Sequence, residues 1–267
     1  MDNLCRLAVI MAQLRDPEFG CPWDLKQDFR DIATHTLEEA YEVVEAIERE
    51  DWAELLEELG DLLFQVYYHA QIARERDLFD LEDVARAVGN KLVARHPHVF
   101  GELPAGDDAA LREAWERRKA EERRAKGMGD SHMDGVALAL PALTRAKKLQ
   151  ARAARAGFDW AGPEGVMDKI REELAELEQA RRRGGRAQIE EEIGDLLFSV
   201  VNLARHLDVD PEQALRAANR KFERRFRAVE ERAKAEGRSP EQLDPQALDA
   251  HWEAVKAAEG RTPEKSD

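Results

Sequence analysis

Glu39 and Glu42 stand three residues apart, and Glu58 and Asp61 repeat that spacing a short distance downstream. On a helix, residues three apart project from one face. Residues 49–52 allow a short turn between two such helices, and a short turn makes them antiparallel. Four carboxylates can then converge across one seam. Glu173, Glu176, Glu192 and Asp195 form a second set with the same spacing. Like charges this close raise one another's pKa unless a cation neutralises them. An all-oxygen donor set suits Mg2+, with Mn2+ as a substitute. No Cys or His stands at a comparable spacing to argue for zinc. Mg2+ usually keeps waters and shares its coordination with substrate phosphate.

The competing reading is a solvated acidic helix face. Thr36 and Glu39 also have the spacing of a capping box. The second set argues against a cap, because Pro163 suits the first turn of its helix and leaves Glu173 in mid-helix. Gly60 and Gly194 each cost about 1 kcal/mol relative to alanine inside a helix. Their presence at matching positions suggests close approach of another backbone or a ligand. Asp61 and Asp195 stand beside the apolar run Leu-Leu-Phe, where an unpaired charge is costly. These points favour a cation in the seam.

The elements that must position these groups are helices. The 267-residue chain is 43% hydrophobic and 36% charged, with few aromatics, Gly or Pro. That balance favours helices with charged outer faces. Helical periodicity predicts segments at about 2–15, 30–49, 52–76, 81–95, 107–126, 141–156, 163–183, 186–207, 211–236 and 244–258, good to a few residues. No stretch alternates as a strand would. A shift of 134 positions places residues 38–70 on 172–204 with 15 of 33 identical, including a shared Gly-Asp-Leu-Leu-Phe. We read an internal duplication and so two related helical domains, 1–126 and 136–258. Residues 127–135 are read as a linker and 259–267 as a disordered tail.

A net charge of -15 opposes binding to nucleic acid or anionic membranes. No apolar run approaches the ~20 residues of a membrane span, and no signal peptide is evident. Two cysteines, Cys5 and Cys21, make no disulfide framework. A cytoplasmic protein is expected.

The carboxylate pattern together with "GCPWDLKQ" (20–27), "HTLEEAYE" (35–42), "EELGDLLFQV" (57–66) and "RHPHVFG" (95–101) resembles the MazG nucleoside triphosphate pyrophosphohydrolases. The second half adds "GFDW" (157–160), "EEEIGDLLFSVVNLARHL" (190–207) and "ANRKFERRF" (218–226). The resemblance covers nearly the whole chain, in the two-domain form. It implies an all-α fold of two repeated helical bundles that dimerise. It also implies Mg2+-dependent hydrolysis of nucleoside triphosphates, ribo or deoxy, between the α and β phosphates. The products are the monophosphate and pyrophosphate, formed mainly in the C-terminal repeat.

On this resemblance Glu173, Glu176, Glu192 and Asp195 hold the ion, and Glu172 or a ligand carboxylate orients the water. Lys169, Lys221, Arg224 and Arg225 face the triphosphate. Gln188, Glu191, Asn219, Trp252 and Lys256 are further substrate contacts. No covalent nucleophile is assigned, and the glycines at 184–185 lack a Walker loop pattern. The first repeat keeps its carboxylates but offers Lys26, Lys91 and Arg95 in place of a full "KFERRF". His96 and His98 flank Pro97 in an expected turn, with phosphate contact on one side and capping or packing on the other equally open. Two alternatives stand beside the enzyme: a binding or regulatory module without turnover, and a related pyrophosphatase specialised for dUTP, dCTP or phosphoribosyl-ATP.

Overall fold

A computed structural model describes residues 2–101, 107–125, 127 and 131–259. It divides into two compact units, Met1–Ala120 and Glu121–Asp267, each considered by itself. All ten expected helices form, and no strand occurs among the described residues. Residues 128–130 of the expected linker and residues 260–267 of the expected tail lie outside the described residues.

The first unit contains α1 (Asn3–Leu14), α2 (Phe29–Glu48), α3 (Trp52–Glu75), α4 (Leu81–Arg95), α5 (Pro97–Phe100) and most of α6 (Asp108–Ala125). The one-turn α5 replaces the turn expected at His96–His98, and Pro97 opens it. Asp28 and Asp31 form the capping box of α2, so Thr36 lies in mid-helix. Its hydroxyl donates to the Ile32 carbonyl, as a helical threonine commonly does. The capping explanation for Glu39 therefore fails. Glu50, in the left-handed region at φ 54°, turns the chain so that α3 packs back along α2. Ala46 sits fully buried in that contact region, as does its counterpart Ala180 in the second unit.

Met11, Ile32, Tyr67, Tyr68 and Ile72 form the core of the first unit, edged by Phe29, Phe64 and Leu81. The "GCPWD" loop is fastened to this core by polar groups. The Tyr68 hydroxyl donates to Asp24 Oδ1 at 3.0 Å. The Arg15 guanidinium, 6% exposed, donates to the carbonyls of Asp24 and Gln27 and pairs with Glu75 at 2.7 Å. Burial pushes the Tyr68 phenol up to about 12.

Gly20 opens this loop. A Cβ there would lie 2.5 Å from the Asp16 carbonyl oxygen and 2.6 Å from that of Leu14. Both are backbone atoms fixed by the end of α1. We expect Gly20→Ala to destabilise the first unit by about 2 kcal/mol, read as a lower denaturant midpoint at unchanged slope.

The second unit contains α7 (Ala142–Arg155), α8 (Pro163–Arg183), α9 (Arg186–His206), α10 (Pro211–Ala235) and α11 (Pro245–Glu259). Pro163 stands at the first position of α8, as expected. Helices α8 and α9 make the principal hairpin, α7 packs on α9, and α11 packs on α10. Val166, Val201, Val229, Ala233 and Val255 are buried. Asp159 of "GFDW" ties its loop to the end of α9 through Arg205 and His206.

Both hairpins leave apolar side chains uncovered within their own units. Leu37, Tyr41, Leu56 and Leu59 are exposed in the first, Leu174, Leu197 and Phe198 in the second. Among the described residues no helix is long and apolar enough to cross a membrane.

Candidate functional site

The hairpin of α2 and α3 brings Glu39, Glu58 and Asp61 together, one carboxylate oxygen from each lying within 4.8 Å of the others. The hairpin of α8 and α9 does the same for Glu173, Glu176 and Glu192. Glu42 and Asp195 fall outside these two sets. Residues three apart on a helix differ by about 60° around its axis. One member of a pair can therefore point into the seam while the other turns toward its rim. Both still act on the sets electrostatically, Glu42 raising the Glu39 carboxyl and Asp195 that of Glu192.

The seams are electrostatically loaded. Burial, then repulsion from Asp61 and Glu42, raises the Glu39 carboxyl above the usual carboxylate range. Glu58 is raised by burial and by Glu42 and Asp61, and Glu192 by burial and by Glu176 and Glu173. Two expectations need correction. Asp61 and Asp195 are exposed rather than buried against the apolar run. Gly60 and Gly194 have nothing of the same chain within 4 Å of a Cβ built on them, so they serve no close backbone contact within it.

Lys169 is the one expected substrate residue that the structure joins to the carboxylates. Its ammonium lies 2.7 Å from Glu172 and 2.8 Å from the buried Glu173, and these bonds push its pKa up. The other expected contacts have other settings. Gln188 and Glu191 are exposed in the early turns of α9, and Gln188 folds toward Gly184. Asn219 and Lys221 are exposed on α10. Arg224 and Arg225 pair with Glu259 at 3.0 and 2.7 Å, and Lys256 pairs with Glu253 at 2.8 Å. Trp252 packs against Phe222, with the Arg225 guanidinium 5.9 Å from its ring. Helices α10 and α11 thus present a basic and aromatic cluster of their own.

The first unit holds a parallel cluster that the sequence reading missed. Arg95 lies 5.0 Å over Trp115, His96 packs on the same ring, and Lys119 pairs with Glu116 at 2.9 Å. The signal was available. "WERRKAEE" at 115–122 matches "WEAVKAAE" at 252–259 in five of eight positions. It escapes a constant shift of 134 because the two repeats differ in length between their last helices. His96 and His98 belong to this cluster, with ring centroids 5.6 Å apart. Lys91 is exposed on α4, and Lys26 ends a 3₁₀ turn in the "GCPWD" loop.

A carboxylate trio of this kind can hold a hard divalent cation. Oxygens around Mg2+ at 2.0–2.1 Å lie roughly 3 Å from their neighbours. The carboxylate oxygens of each set, within 4.8 Å of one another, stand within about 2 Å of that spacing.

Comparison with known proteins agrees with this geometry. A profile of the MazG nucleotide pyrophosphohydrolase domain matches twice, over residues 27–100 and 161–229, and each match contains one carboxylate set. A nucleoside triphosphate pyrophosphohydrolase of Escherichia coli K12 is 48% identical over 97% of this chain and 99% of its own length. The Thermotoga maritima protein named nucleoside triphosphate pyrophosphohydrolase/pyrophosphatase MazG is 46% identical over 95% of each chain. The Bacillus subtilis protein YabN is 39% identical over 95% of this chain and 51% of its own length. With two matched domains and relatives aligned end to end, this chain belongs to the MazG nucleotide pyrophosphohydrolase family.

Proposed function

We propose that the protein hydrolyses nucleoside triphosphates between the α and β phosphates, releasing monophosphate and pyrophosphate. The reaction depends on Mg2+, with Mn2+ as a substitute, and runs mainly in the second repeat. The observation that carries this reading is the convergence of Glu173, Glu176 and Glu192 beside the Lys169 ammonium. Acid oxygens for a cation and a basic group for a phosphate meet there in one seam.

Glu173, Glu176 and Glu192, with Asp195 at the rim, would hold the ion. When bound, Mg2+ neutralises phosphate oxygens and acidifies a water. The chain's own part is largely positioning, since phosphoryl chemistry needs alignment and charge neutralisation more than covalent help. Glu172, exposed one residue from the seam, or one of the ligand carboxylates would orient the attacking water. Lys169 already bridges Glu172 and Glu173, and a substrate phosphate would compete for it. Arg224 and Arg225 would reach the triphosphate by leaving Glu259, and Trp252 and Lys256 lie on the helix packed beside them.

The uncovered leucines of the hairpins support association as a homodimer. Leu56 is 75% and Leu197 53% exposed, and burying such side chains stabilises by about 1.5–3 kcal/mol each. The free thiols of Cys5 and Cys21 suit a reducing cytoplasm.

The test is a mixed panel of ribo- and deoxyribonucleoside triphosphates, with Mg2+ or with EDTA, and resolved products. We expect monophosphate and pyrophosphate with Mg2+ and neither with EDTA. Diphosphate and orthophosphate would refute the cleavage position.

A further inference from the structure

The internal repeat allows each carboxylate to be compared with its counterpart. Glu39 matches Glu173, and Glu58 matches Glu192. What holds the deeper carboxylate differs between the units. In the second, Lys169 sits 2.8 Å from Glu173, whose side chain is 5% exposed. In the first, the matching residue is His35, which bonds Glu38 at 3.0 Å, and no ion pair joins it to Glu39. Glu39 instead accepts from the Gln65 amide Nε2 at 3.3 Å. Gln65 is 6% exposed, and its Oε1 is buried without a partner. Its counterpart is Ser199. A fixed ammonium neutralises one seam, and a neutral amide orients the other.

We infer that the first unit binds a divalent cation in the absence of nucleotide, whereas the second takes up its cation together with the substrate. This rests on the cation reading above. An ion approaching Glu173 must displace Lys169 or sit beside it. An ammonium about 4 Å from a dication disfavours it by roughly thirtyfold, even at the dielectric constant of water. A nucleotide phosphate removes that obstacle by offering Lys169 a new partner. Among the described residues of the first unit no ammonium pairs with Glu39, and a buried amide already holds it. The first repeat therefore takes its ion without waiting for substrate.

The experiment is a titration of the full-length, nucleotide-free chain with Mn2+, reading free ion by electron paramagnetic resonance. We expect a tight class that is lost in Glu58→Ala and kept in Glu192→Ala, and a weaker class. Lys169→Met should tighten the weaker class about tenfold or more. His35→Lys, which moves the ammonium to the first unit, should weaken the tight class by a similar factor. Both positions are partly exposed, and circular dichroism checks that each variant keeps its helices.

A tight class lost in Glu192→Ala but kept in Glu58→Ala would overturn the inference. So would two charge substitutions that leave both classes unmoved, or no Mn2+ bound without nucleotide. Turnover measured on the same preparation separates this result from the proposed activity. Hydrolysis without a nucleotide-free ion class overturns the inference alone. The expected ion classes without hydrolysis support it and overturn the activity.

Discussion

Glu192→Ala is expected to lower Mg2+-dependent pyrophosphate release by at least about 10²–10³-fold. Glu58→Ala should keep most of the turnover. Glu192 is the only α9 residue in its trio, facing Glu173 and Glu176 from α8. Without it only Asp195, outside the trio, offers an α9 carboxylate, and the ion is left mainly on α8. The loss should not come from unfolding. Burial and the neighbouring Glu176 and Glu173 carboxylates raise the Glu192 pKa, so its charged form is disfavoured in the ion-free fold. Removing that charge relieves repulsion, and thermal unfolding without added metal should occur at the same temperature or higher. Loss of turnover in Glu58→Ala alone would move catalysis to the first repeat. Equal loss in both variants would make the repeats joint contributors.

The second large effect is on stability. Glu75→Ala should destabilise the first unit by about 3 kcal/mol, the lower end for breaking a buried pair, because Glu75 itself is 31% exposed. The Arg15 guanidinium stays buried and loses the carboxylate that meets it through two nitrogens. Its remaining bonds go to the Asp24 and Gln27 carbonyls. The "GCPWD" loop should loosen as a result, seen as faster amide exchange there and a lower denaturant midpoint.

The same pair sets a pH dependence. Burial alone would raise the Glu75 carboxyl, but hydrogen bonds from Arg15 and Gln71 hold it below the usual range. A carboxylate depressed by folding adds stability above its unfolded pKa, about 4.3. That stability is lost as pH falls through the lower folded value. The midpoint of the native chain should therefore drop below about pH 4.3. In Glu75→Ala that part of the drop should be missing.

Much of this was legible in the residues. Apolar spacing marked all ten long helices, and Pro163 marked the start of α8. The matching Gly-Asp-Leu-Leu-Phe segments marked the repeat. These features are local, or are copies of local features, so periodicity and comparison along the chain suffice. The short α5 and the 3₁₀ turn at Asp24–Lys26 were missed because three or four residues carry too little pattern.

By itself, the sequence determined an all-α chain with two repeated hairpins and carboxylates that converge in each. Spacing on a helix places side chains on a face regardless of what packs there. Only the tertiary structure decided that Glu58 and Asp61, and Glu173 and Glu176, enter their seams as pairs while Glu42 and Asp195 stay outside the sets. It also decided that Lys169 neutralises Glu173 while Gln65 holds Glu39, and that Arg15 reaches Glu75 across 60 positions. Those outcomes depend on how two helices rotate against each other and on which rotamers the buried space admits. Neither quantity is written in the spacing of residues along one strand of chain.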